Sequence, residues 1–489
     1  MVITRFAPSD SGHLHIGGAR TALINWLYAK KTGGKFVLRI EDSDSKKAVE
    51  NSVESILNGL KWLGLDHDEE ILFQSSRRFE HLATAESLIH TGKAYRDYAT
   101  PEEVAAVKSP RVAYQQFSAI SQEEQGIRAD KGLPFVVRMR IPRDRETIDF
   151  HDEVFGDQHI AVDTLDDFVI VRSDGSPLFL LSCVLDDIHQ GVNTVIRGQD
   201  HLSNTPKQVV IYEALGEAVP VYAHMALITT LSGEKLAKSK HGKIVDTQNY
   251  VEAGFLPEAV LQFMASLGFT DSERLLTLDD MALRLELSAL SKSSAKYEFK
   301  EDSFDPKLVH LNAQWIREMP LEDLKKHLEP LICKKYGTEK LPYFCLVPEF
   351  DATLTLIRQR FWHLNDFLTQ GEAYIVWNKD EILMNPVAVA KNLTKQSEIL
   401  KALWRKLIYA LSWLDPWDHD TIEAAVRQFC EDNSVKTGVI INALRTSLTG
   451  EAVGPSLFEL IAMLPRITVI NRMEITSVDV FSEYGEDNA

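Results

Sequence analysis

Hydrophobic positions at the start of the chain change their period twice within 42 residues. Short apolar runs at 2–6 (VITRF) and 35–42 (KFVLRIED) predict two buried strands. Residues 19–31, between them, carry apolar side chains at helical spacing, and a Gly-Gly pair at 33–34 supplies the stop. The pattern therefore predicts a β-α-β unit with parallel strands.

The same alternation returns after residue 190. Two further apolar runs, TVIRGQDH (194–201) and VYAHMALITT (221–230), flank the helical stretch NTPKQVVIYEALG (204–216). Between the two parts, from about 95 to 190, short mixed strands and polar loops alternate. We therefore predict an α/β fold with a doubly wound parallel sheet, whose two halves are separated by an inserted module.

After about residue 304 the pattern becomes helical alone. The segment Leu354–Leu368 and a second one through Leu400, Leu407 and Leu414 both place apolar residues three or four positions apart. This spacing predicts two amphipathic helices in an all-α region.

Composition limits the class of protein. A chain of 489 residues exceeds the size of a single core, so two or more domains are expected. No apolar run reaches the roughly 18 residues that cross a bilayer, and we expect a cytoplasmic protein without membrane contact. The net charge of −18 argues against indiscriminate nucleic-acid binding but allows a local basic face.

The four cysteines lie far apart and form no C-x-x-C pair. This spacing argues against a disulfide framework and against a cysteine zinc cluster. They are Cys183, Cys333, Cys345 and Cys430.

The loop after the first strand reads RFAPSDSGHLHIGGARTAL, residues 5–23. It precedes a predicted helix, whose N-terminal N–H groups and partial positive charge favour phosphate. Glycines at 12, 17 and 18 let a large ligand approach, and His13 or His15 can donate to phosphate oxygens. The spacing is neither the dinucleotide fingerprint nor the lysine-ending phosphate loop.

This stretch resembles the P-S-P-T-G-x-x-H-I-G-G-A-R-T signature of bacterial-type glutamyl-tRNA synthetases, in which the class I "HIGH" motif reads HIGG. The resemblance continues in FVLRIEDSD (36–44), SDGSPLF (173–179), VIRGQDHLSNTP (195–206) and GEKLAKSKHG (233–242), and late in the chain in LTGEAVGP. It implies a Rossmann-like catalytic domain and an anticodon-binding region, which together activate glutamate with ATP and transfer it to tRNA.

The resemblance implies five parts along the chain. They are 1–94, the first half of the catalytic domain; 95–190, an inserted module for the acceptor stem; 191–245, the second half; 246–315, a stem-contact region; and 316–489, the α-helical anticodon-binding domain.

It also implies roles for particular residues. His15 and Lys238 are the expected catalytic residues. The expected ATP-binding residues are Ser11, Gly12, His15, Gly17, Gly18, Lys235 and Lys238. The expected glutamate-binding residues are Arg5, Ser9, Glu41, Phe179 and Arg197, with the arginines on carboxylates and Glu41 on the ammonium. The candidates for tRNA contact are Arg358, Arg360, Lys436 and Arg445.

Three positions depart from the family pattern. Asp10 replaces a proline before the signature's hydroxyl residue, where it either adds negative charge near the triphosphate or caps the helix that follows. Phe179 stands where the family has a tyrosine, which removes a phenolic donor. The segment GEKLAKSKHG (233–242), called the lysine loop below, has Ala237 in place of the family's serine and one additional residue, but it keeps Lys235 and Lys238.

Many bacterial relatives carry a zinc-binding cysteine cluster in the inserted module. The stretch AYRDYATPEEVAAVKSP contains no cysteine, so we expect ATP with Mg2+ but no zinc, and no metal held by the protein.

There are three rival functions. A glutaminyl-tRNA synthetase is expected to have a β-barrel C-terminal architecture, whereas this C-terminal third is helical in pattern. A short tRNA-modifying glutamyl transferase lacks anticodon domains, which the length of 489 residues contradicts. A catalytically weak paralogue that binds tRNA or a protein partner fits the three departures. The sequence leaves open whether tRNA(Glu), tRNA(Gln) or both are charged, and we expect a monomer.

Overall fold

The computed structural model describes residues 1–9, 14–42, 49–99, 102, 105–106, 121–236, 245–270, 273–298, 303–338, 348–375 and 382–481. Contacts divide the chain into two units. The first comprises Met1–Val251 and Pro257–Pro306, and the second comprises Glu252–Leu256 and Lys307–Ala489. The five-part division expected from the sequence is finer than these two units and stays a prediction.

All described strands belong to the first unit. They are β1 (Ile3–Phe6), β2 (Lys35–Ile40), β3 (Leu72–Phe73), β4 (Ala94–Asp97), β5 (Val136–Met139), β6 (Thr147–Asp152), β7 (Gly156–Ala161), β8 (Val169–Val171), β9 (Thr194–Gly198), β10 (Val221–Met225), β11 (Ile228–Thr230) and β12 (Ala295–Tyr297). β1, β2 and β9 are buried almost throughout, which is why they read as continuous apolar runs.

The central sheet is built from two parallel ladders. β1 pairs with β2 and β2 with β3, while β9 pairs with β10, and β10 meets β6 at Tyr222 and Asp152. β9 lies beside β1, where Asn193 donates its N–H to the carbonyl of Ile3 (3.2 Å) and its Oδ1 accepts the N–H of Ile3 (2.9 Å). The predicted parallel α/β sheet is thus confirmed for these strands.

The inserted segment extends this sheet, which the sequence pattern did not predict. β6 joins the edge of β10 and pairs antiparallel with β7, so that the sheet is mixed. A separate antiparallel sheet, β4-β5-β8, lies on the insert, and β11 pairs with β12. Asp152, at the end of β6, is brought beside Tyr222 of β10 in this way.

Helices cover the sheet and follow its strands. Those up to residue 284 are α1 (Ile16–Thr32), α2 (Val49–Trp62), α3 (Arg78–His90), α4 (Gln122–Asp130), α5 (Phe179–His189), α6 (Thr205–Leu215), α7 (Thr247–Ala253), α8 (Pro257–Ser266) and α9 (Leu278–Arg284). α1 begins three residues before the predicted start and ends at Gly33 with φ of 61°. A Cβ on Gly34 would lie 2.2 Å from the carbonyl oxygen of Val2, so this close approach requires glycine.

Beyond residue 303, every regular element among the described residues is helical. The helices are α10 (Pro306–Glu318), α11 (Leu321–Tyr336), α12 (Pro348–Ile357), α13 (Glu372–Ile375), α14 (Pro386–Asn392), α15 (Ser397–Ser412), α16 (His419–Asp432), α17 (Thr437–Thr449), α18 (Leu457–Met463) and α19 (Arg466–Thr476). The all-α character expected for this region is confirmed, and α15 matches the second predicted amphipathic helix.

The first predicted amphipathic helix of this region was wrong in one respect. Instead of one helix over Leu354–Leu368, α12 ends at Ile357 and short 3-10 turns cover Arg358–Arg360 and Leu364–Leu368. Asp366 accepts the N–H groups of Trp362 and His363 at 2.8 and 2.9 Å, which satisfies the backbone of the interruption.

Among the described residues, no helix is both long enough and apolar enough to span a membrane.

Candidate active site

A cavity of about 480 Å³ opens in the first unit where the parallel strands end. Open parallel sheets bind ligands at this edge, because the loops that follow their strands converge there. Eight of the residues singled out from the sequence line the cavity: Arg5, His15, Gly17, Gly18, Glu41, Phe179, Arg197 and Lys235. The structure therefore brings together the expected ATP and glutamate residues that it describes, except Ser9.

Ser9 is exposed and does not line the cavity, although its backbone bridges to that of Glu41 beside it. Ser11, Gly12 and Lys238 lie outside the described residues, as do the departures Asp10 and Ala237.

One wall of the cavity holds a buried ionic cluster of Arg5, Arg39, Glu41 and Asp187. Arg5 Nε lies 3.2 Å and Arg39 Nη1 lies 2.7 Å from the same oxygen, Asp187 Oδ1. Arg39 Nη2 also lies 3.3 Å from Glu41 Oε1. The cluster joins β1, β2 and α5. Its two arginines and two carboxylates balance in charge.

The environment of the cluster shifts both carboxyl groups. Burial alone would raise the pKa of Asp187, but Arg5 and Arg39 outweigh it and hold that pKa below its ordinary value. Burial raises the pKa of Glu41 despite the opposing charges of Arg39 and Arg5. Arg39 and Asp187 were missed by the sequence interpretation, although an Asp186-Asp187 pair in an apolar helix was a visible signal.

Arg197, on the wall formed by the end of β9, is held in a different way. Its Nε donates to His224 Nε2 (3.1 Å) and its Nη2 donates to Thr205 Oγ1 (2.9 Å). Its Nη1 is buried and has no hydrogen-bond partner among the described residues. The guanidinium also lies over the ring of Tyr222, 5.5 Å from the centroid.

Arg197 is therefore a buried cation with neutral partners. Within the described part of the chain, no carboxylate lies within ion-pair distance of it, and burial lowers its pKa. A buried donor without a partner costs free energy, so this wall is suited to an anionic ligand.

Phe179 and His201 close the cavity on the side of Arg197. Their rings lie 5.4 Å apart, and burial together with Arg197 lowers the pKa of His201 to about 4. Burial raises the pKa of the nearby Cys183 thiol to about 11. Both groups are neutral at pH 7, so neither offsets the charge of Arg197.

His15 is the N-cap of α1. Its Nδ1 accepts the N–H groups of Gly17 (3.0 Å) and Gly18 (3.1 Å), so in the neutral ring the proton is on Nε2. His15 thus occupies the cap position of α1, and Asp10, for which capping was one of two alternatives, lies outside the described residues. The two glycine N–H groups are likewise used by His15 rather than presented directly to phosphate.

Lys235 lies at the mouth of the cavity and is paired with Asp200 (2.8 Å). The two side chains are 56% and 40% exposed. Burial alone would raise the pKa of Asp200, but the hydrogen bond and the charge of Lys235, together with smaller contributions, lower it. This contact holds the start of the lysine loop near the strand end that carries Arg197.

The four candidates for tRNA contact lie in the second unit. Arg358 and Arg445 donate to backbone carbonyls of Met319 (2.8 Å) and Pro455 (2.7 Å) and are half-buried. Arg360 and Lys436 are exposed. Contact with tRNA stays a prediction for all four, and the backbone bonds give Arg358 and Arg445 a role in the fold.

Family models cover almost the whole chain. Residues 1–302 match the model described as tRNA synthetases class I (E and Q), catalytic domain, and residues 308–476 match the anticodon binding domain. A protein of Desulfotalea psychrophila named glutamate–tRNA ligase is 37% identical over 96% of this chain and 97% of its own length. The chain belongs to the glutamate–tRNA ligases.

Other glutamate–tRNA ligases give the same picture. Glutamate–tRNA ligase 1 of Methylorubrum extorquens is 36% identical over 96% of this chain and 98% of its own. A crystal structure of a glutamate tRNA ligase from Elizabethkingia meningosepticum, in complex with its amino acid, has a TM-score of 0.80 at 27% identity and covers 98% of this chain and 99% of that chain. The fold and the enzyme class expected from the motifs are thereby confirmed.

Within the described residues, no group of three or more His, Cys, Asp or Glu side chains is arranged to hold a metal ion. Most of residues 100–120 lie outside the described part, so the expected absence of zinc stays a prediction.

Proposed function

We propose that the chain activates L-glutamate with ATP and transfers the glutamyl group to the 3′-terminal ribose of tRNA(Glu). The observation that carries the choice of amino acid is Arg197, a cavity-lining arginine whose buried Nη1 has no hydrogen-bond partner among the described residues. A substrate carboxylate supplies both the missing acceptor and the missing counter-ion. An amide supplies only a neutral acceptor, so glutamate is preferred to glutamine.

The first step is attack of the glutamate α-carboxylate on the α-phosphorus of ATP, with pyrophosphate as leaving group. Arg5 and Arg197 hold the two carboxylates and Glu41 faces the ammonium, with Ser9 nearby. This arrangement fixes the nucleophile in line with the phosphorus, and such positioning lowers the entropic barrier.

Charge that develops on the phosphates is neutralised at the other end of the cavity. His15 donates from Nε2, since its Nδ1 is used by the cap, and Lys235 and Lys238 approach the leaving pyrophosphate. Ser11, Gly12, Gly17 and Gly18 are the remaining residues proposed to contact the triphosphate. Mg2+ enters with ATP and carries part of the charge.

The helical unit reads the tRNA. Arg358, Arg360, Lys436 and Arg445 are the cations proposed to meet RNA there, since arginine can stack on splayed bases and bind phosphate. The enzyme acts as a monomer in the cytoplasm, and tRNA(Gln) is a second acceptor to be tested. Because the net charge is −18, the basic track is restricted and binding weakens as salt rises.

Pyrophosphate exchange tests the amino acid. We expect ATP–pyrophosphate exchange with glutamate, stimulated by tRNA, and much slower exchange with glutamine. Equal rates with both amino acids, or no exchange with any tRNA, would contradict the proposal. The second outcome would favour a catalytically weak paralogue, for which Asp10, Phe179 and Ala237 are the supporting features.

Charging assays with tRNA(Glu) and tRNA(Gln) transcripts, one at a time, test the acceptor. Charging of tRNA(Glu) supports the proposal, and charging of tRNA(Gln) alone would replace tRNA(Glu) by tRNA(Gln) in it.

Two lysine variants test the catalytic loop. Lys238→Ala is expected to slow activation about 10²- to 10³-fold with tRNA affinity unchanged, since it acts on charge in the transition state. Lys240→Ala is the matched control and is expected to have a small effect. If Lys240→Ala is the more damaging change, the catalytic role belongs to Lys240.

Elemental analysis of the purified protein tests the metal content. We expect no stoichiometric zinc. A content near one zinc ion per chain would contradict the interpretation of the inserted module.

A further inference from the structure

Arg197 is held by a series of hydrogen-bonded side chains that begins in the inserted segment. Asp152, at the end of β6, contacts His224 in β10, and His224 contacts Arg197 in β9. All three side chains are buried, and their hydrogen bonds connect three neighbouring strands. We propose that the Asp152–His224 pair is a positioning device that fixes Arg197 Nε and so orients the Arg197 guanidinium toward the carboxylate of glutamate.

The hydrogen bonds among these three side chains all donate in the same direction, from Arg197 through His224 to Asp152. His224 Nδ1 donates to Asp152 Oδ2 at 2.6 Å, and the backbone N–H of His224 donates to the same oxygen at 3.2 Å. His224 Nε2 is then the lone-pair nitrogen, which accepts from Arg197 Nε at 3.1 Å. The ring is therefore held in one tautomer by the carboxylate and in one orientation by two bonds.

The tautomer matters because arginine has only donors. If His224 carried its proton on Nε2, two N–H groups would face each other at the Arg197 contact, and the guanidinium would have to turn. Asp152 prevents this, since its pKa is held below the ordinary value by the His224 bond, despite burial, and it acts only as an acceptor. Burial lowers the pKa of His224 despite the carboxylate, which favours the neutral ring that can accept.

Asp152 is itself anchored independently of Arg197. Its Oδ1 accepts the backbone N–H groups of Val154 (3.0 Å) and Phe155 (2.8 Å) at the turn between β6 and β7. The carboxylate therefore keeps its position when the cavity is empty. Thr205 Oγ1, which accepts from Arg197 Nη2, supports the guanidinium from α6.

This assignment rests on the proposed function, because it requires that Arg197 bind glutamate. If these hydrogen bonds served only the structure, they would join β6 to β10, and their loss would affect folding alone. The two roles differ in their kinetic signature. Loss of a positioning residue raises the KM for glutamate and leaves the KM for ATP unchanged, whereas loss of a structural bond lowers stability and changes both or neither.

Two substitutions of His224 separate these roles. His224→Leu removes the acceptor for Arg197 Nε, and we expect a rise of about tenfold or more in the KM for glutamate, with the KM for ATP within twofold of wild type. His224→Gln can place a carbonyl oxygen near the position of Nε2, and we expect it to recover most of the glutamate affinity. Both are measured by tRNA charging, with melting curves for each protein.

Asp152→Asn provides a second route without a change in buried volume. If the amide oxygen keeps the bonds to Val154 and Phe155, its NH2 group faces His224 Nδ1 and favours the wrong tautomer. We expect this variant also to raise the KM for glutamate selectively, and it decides the question in the same way should His224→Leu fail to fold. His151→Gln, the exposed neighbour of Asp152, is the control and should leave both KM values unchanged.

Arg197→Met distinguishes failure of this inference from failure of the proposed function. If Arg197→Met leaves the KM for glutamate unchanged, the proposed function is wrong at this residue. If it raises that KM, the positioning role predicts that adding His224→Leu to Arg197→Met has little further effect. The inference is overturned if the two changes multiply, if His224→Gln is as damaging as His224→Leu, or if neither His224→Leu nor Asp152→Asn affects glutamate selectively.

Discussion

Arg5 and Arg197 line the same cavity, but the protein holds the two guanidinium groups in opposite ways. Arg5 lies 3.2 Å from the carboxylate of Asp187, which it shares with Arg39. Arg197 is held by a neutral imidazole and a hydroxyl, and its Nη1 has no partner among the described residues. One wall of the cavity is therefore charge-balanced, and the other carries a net positive charge.

The difference separates Arg5, a proposed substrate-binding arginine that also stabilises the fold through Asp187, from Arg197, whose counter-ion is supplied by the ligand. A buried ion pair holds its elements in register, and removing one partner leaves an uncompensated charge. A buried cation without a counter-ion is costly in the empty protein, and binding sites keep such groups because the ligand supplies the missing partner. Stability and substrate affinity should thus respond differently to changes on the two walls.

The largest effect is expected from Asp187→Asn. The variant leaves Arg5 and Arg39 facing each other with their shared carboxylate gone, and breaking a buried pair in this way costs about 3 to 5 kcal/mol. We expect a clear fall in melting temperature. Glu69→Gln, which breaks the exposed Lys35–Glu69 pair (2.7 Å), is the control and should leave the melting temperature almost unchanged, because water screens exposed pairs. Equal effects of the two changes would contradict a structural role for the ionic cluster.

A smaller effect is expected at His15, which serves the fold with one ring nitrogen and the substrate with the other. His15→Ala removes the cap of α1 and should cost about 1 kcal/mol. His15→Asn restores a good cap but lacks the Nε2 donor. We therefore expect wild-type stability from His15→Asn in melting curves but slow pyrophosphate exchange, as with His15→Ala. Normal exchange by His15→Asn would limit His15 to its capping role.

Arg5, Glu41 and Arg197 were predicted from the resemblance to glutamyl-tRNA synthetases, and each lies at the end of an apolar strand, where ligands bind in parallel sheets. The sequence did not predict what holds them. Asp152 and His224 are 72 positions apart, and their contact depends on β6 joining the sheet beside β10. Such pairing is decided by tertiary packing, which spacing along the chain does not encode.

The helical unit gives a second example. Leu354, Ile357, Phe361, Leu364 and Leu368 keep helical spacing and are all buried, yet the helix is interrupted after Ile357. The apolar pattern reports which side chains face the core. It does not report that Asp366 caps the backbone of a break, because that competition between side-chain and helical hydrogen bonds is local.

An effect that depends on pH is expected from His201, which lines the cavity beside Arg197. Its pKa is about 4, below the ordinary 6.5, so between pH 6.5 and 4 the unfolded chain binds a proton that the folded chain does not. Stability contributed by neutral His201 is complete above pH 6.5 and is lost as the pH falls through this window. We therefore expect the melting temperature of wild type to fall more steeply than that of His201→Gln between pH 7 and 5. Parallel curves would contradict the lowered pKa.

The central claim is that Arg197 is a buried cation whose counter-ion is the substrate, and Arg197→Met tests it most directly. Once the cation is gone, the hydroxyl of Thr205, 3.1 Å away, can donate to His224 Nε2. The measurement is the melting temperature and the KM for glutamate of the same preparation. We predict a melting temperature equal to or above that of wild type, together with a rise of about tenfold or more in the KM for glutamate. A fall in melting temperature like that of Asp187→Asn, with the KM for glutamate unchanged, would contradict the account.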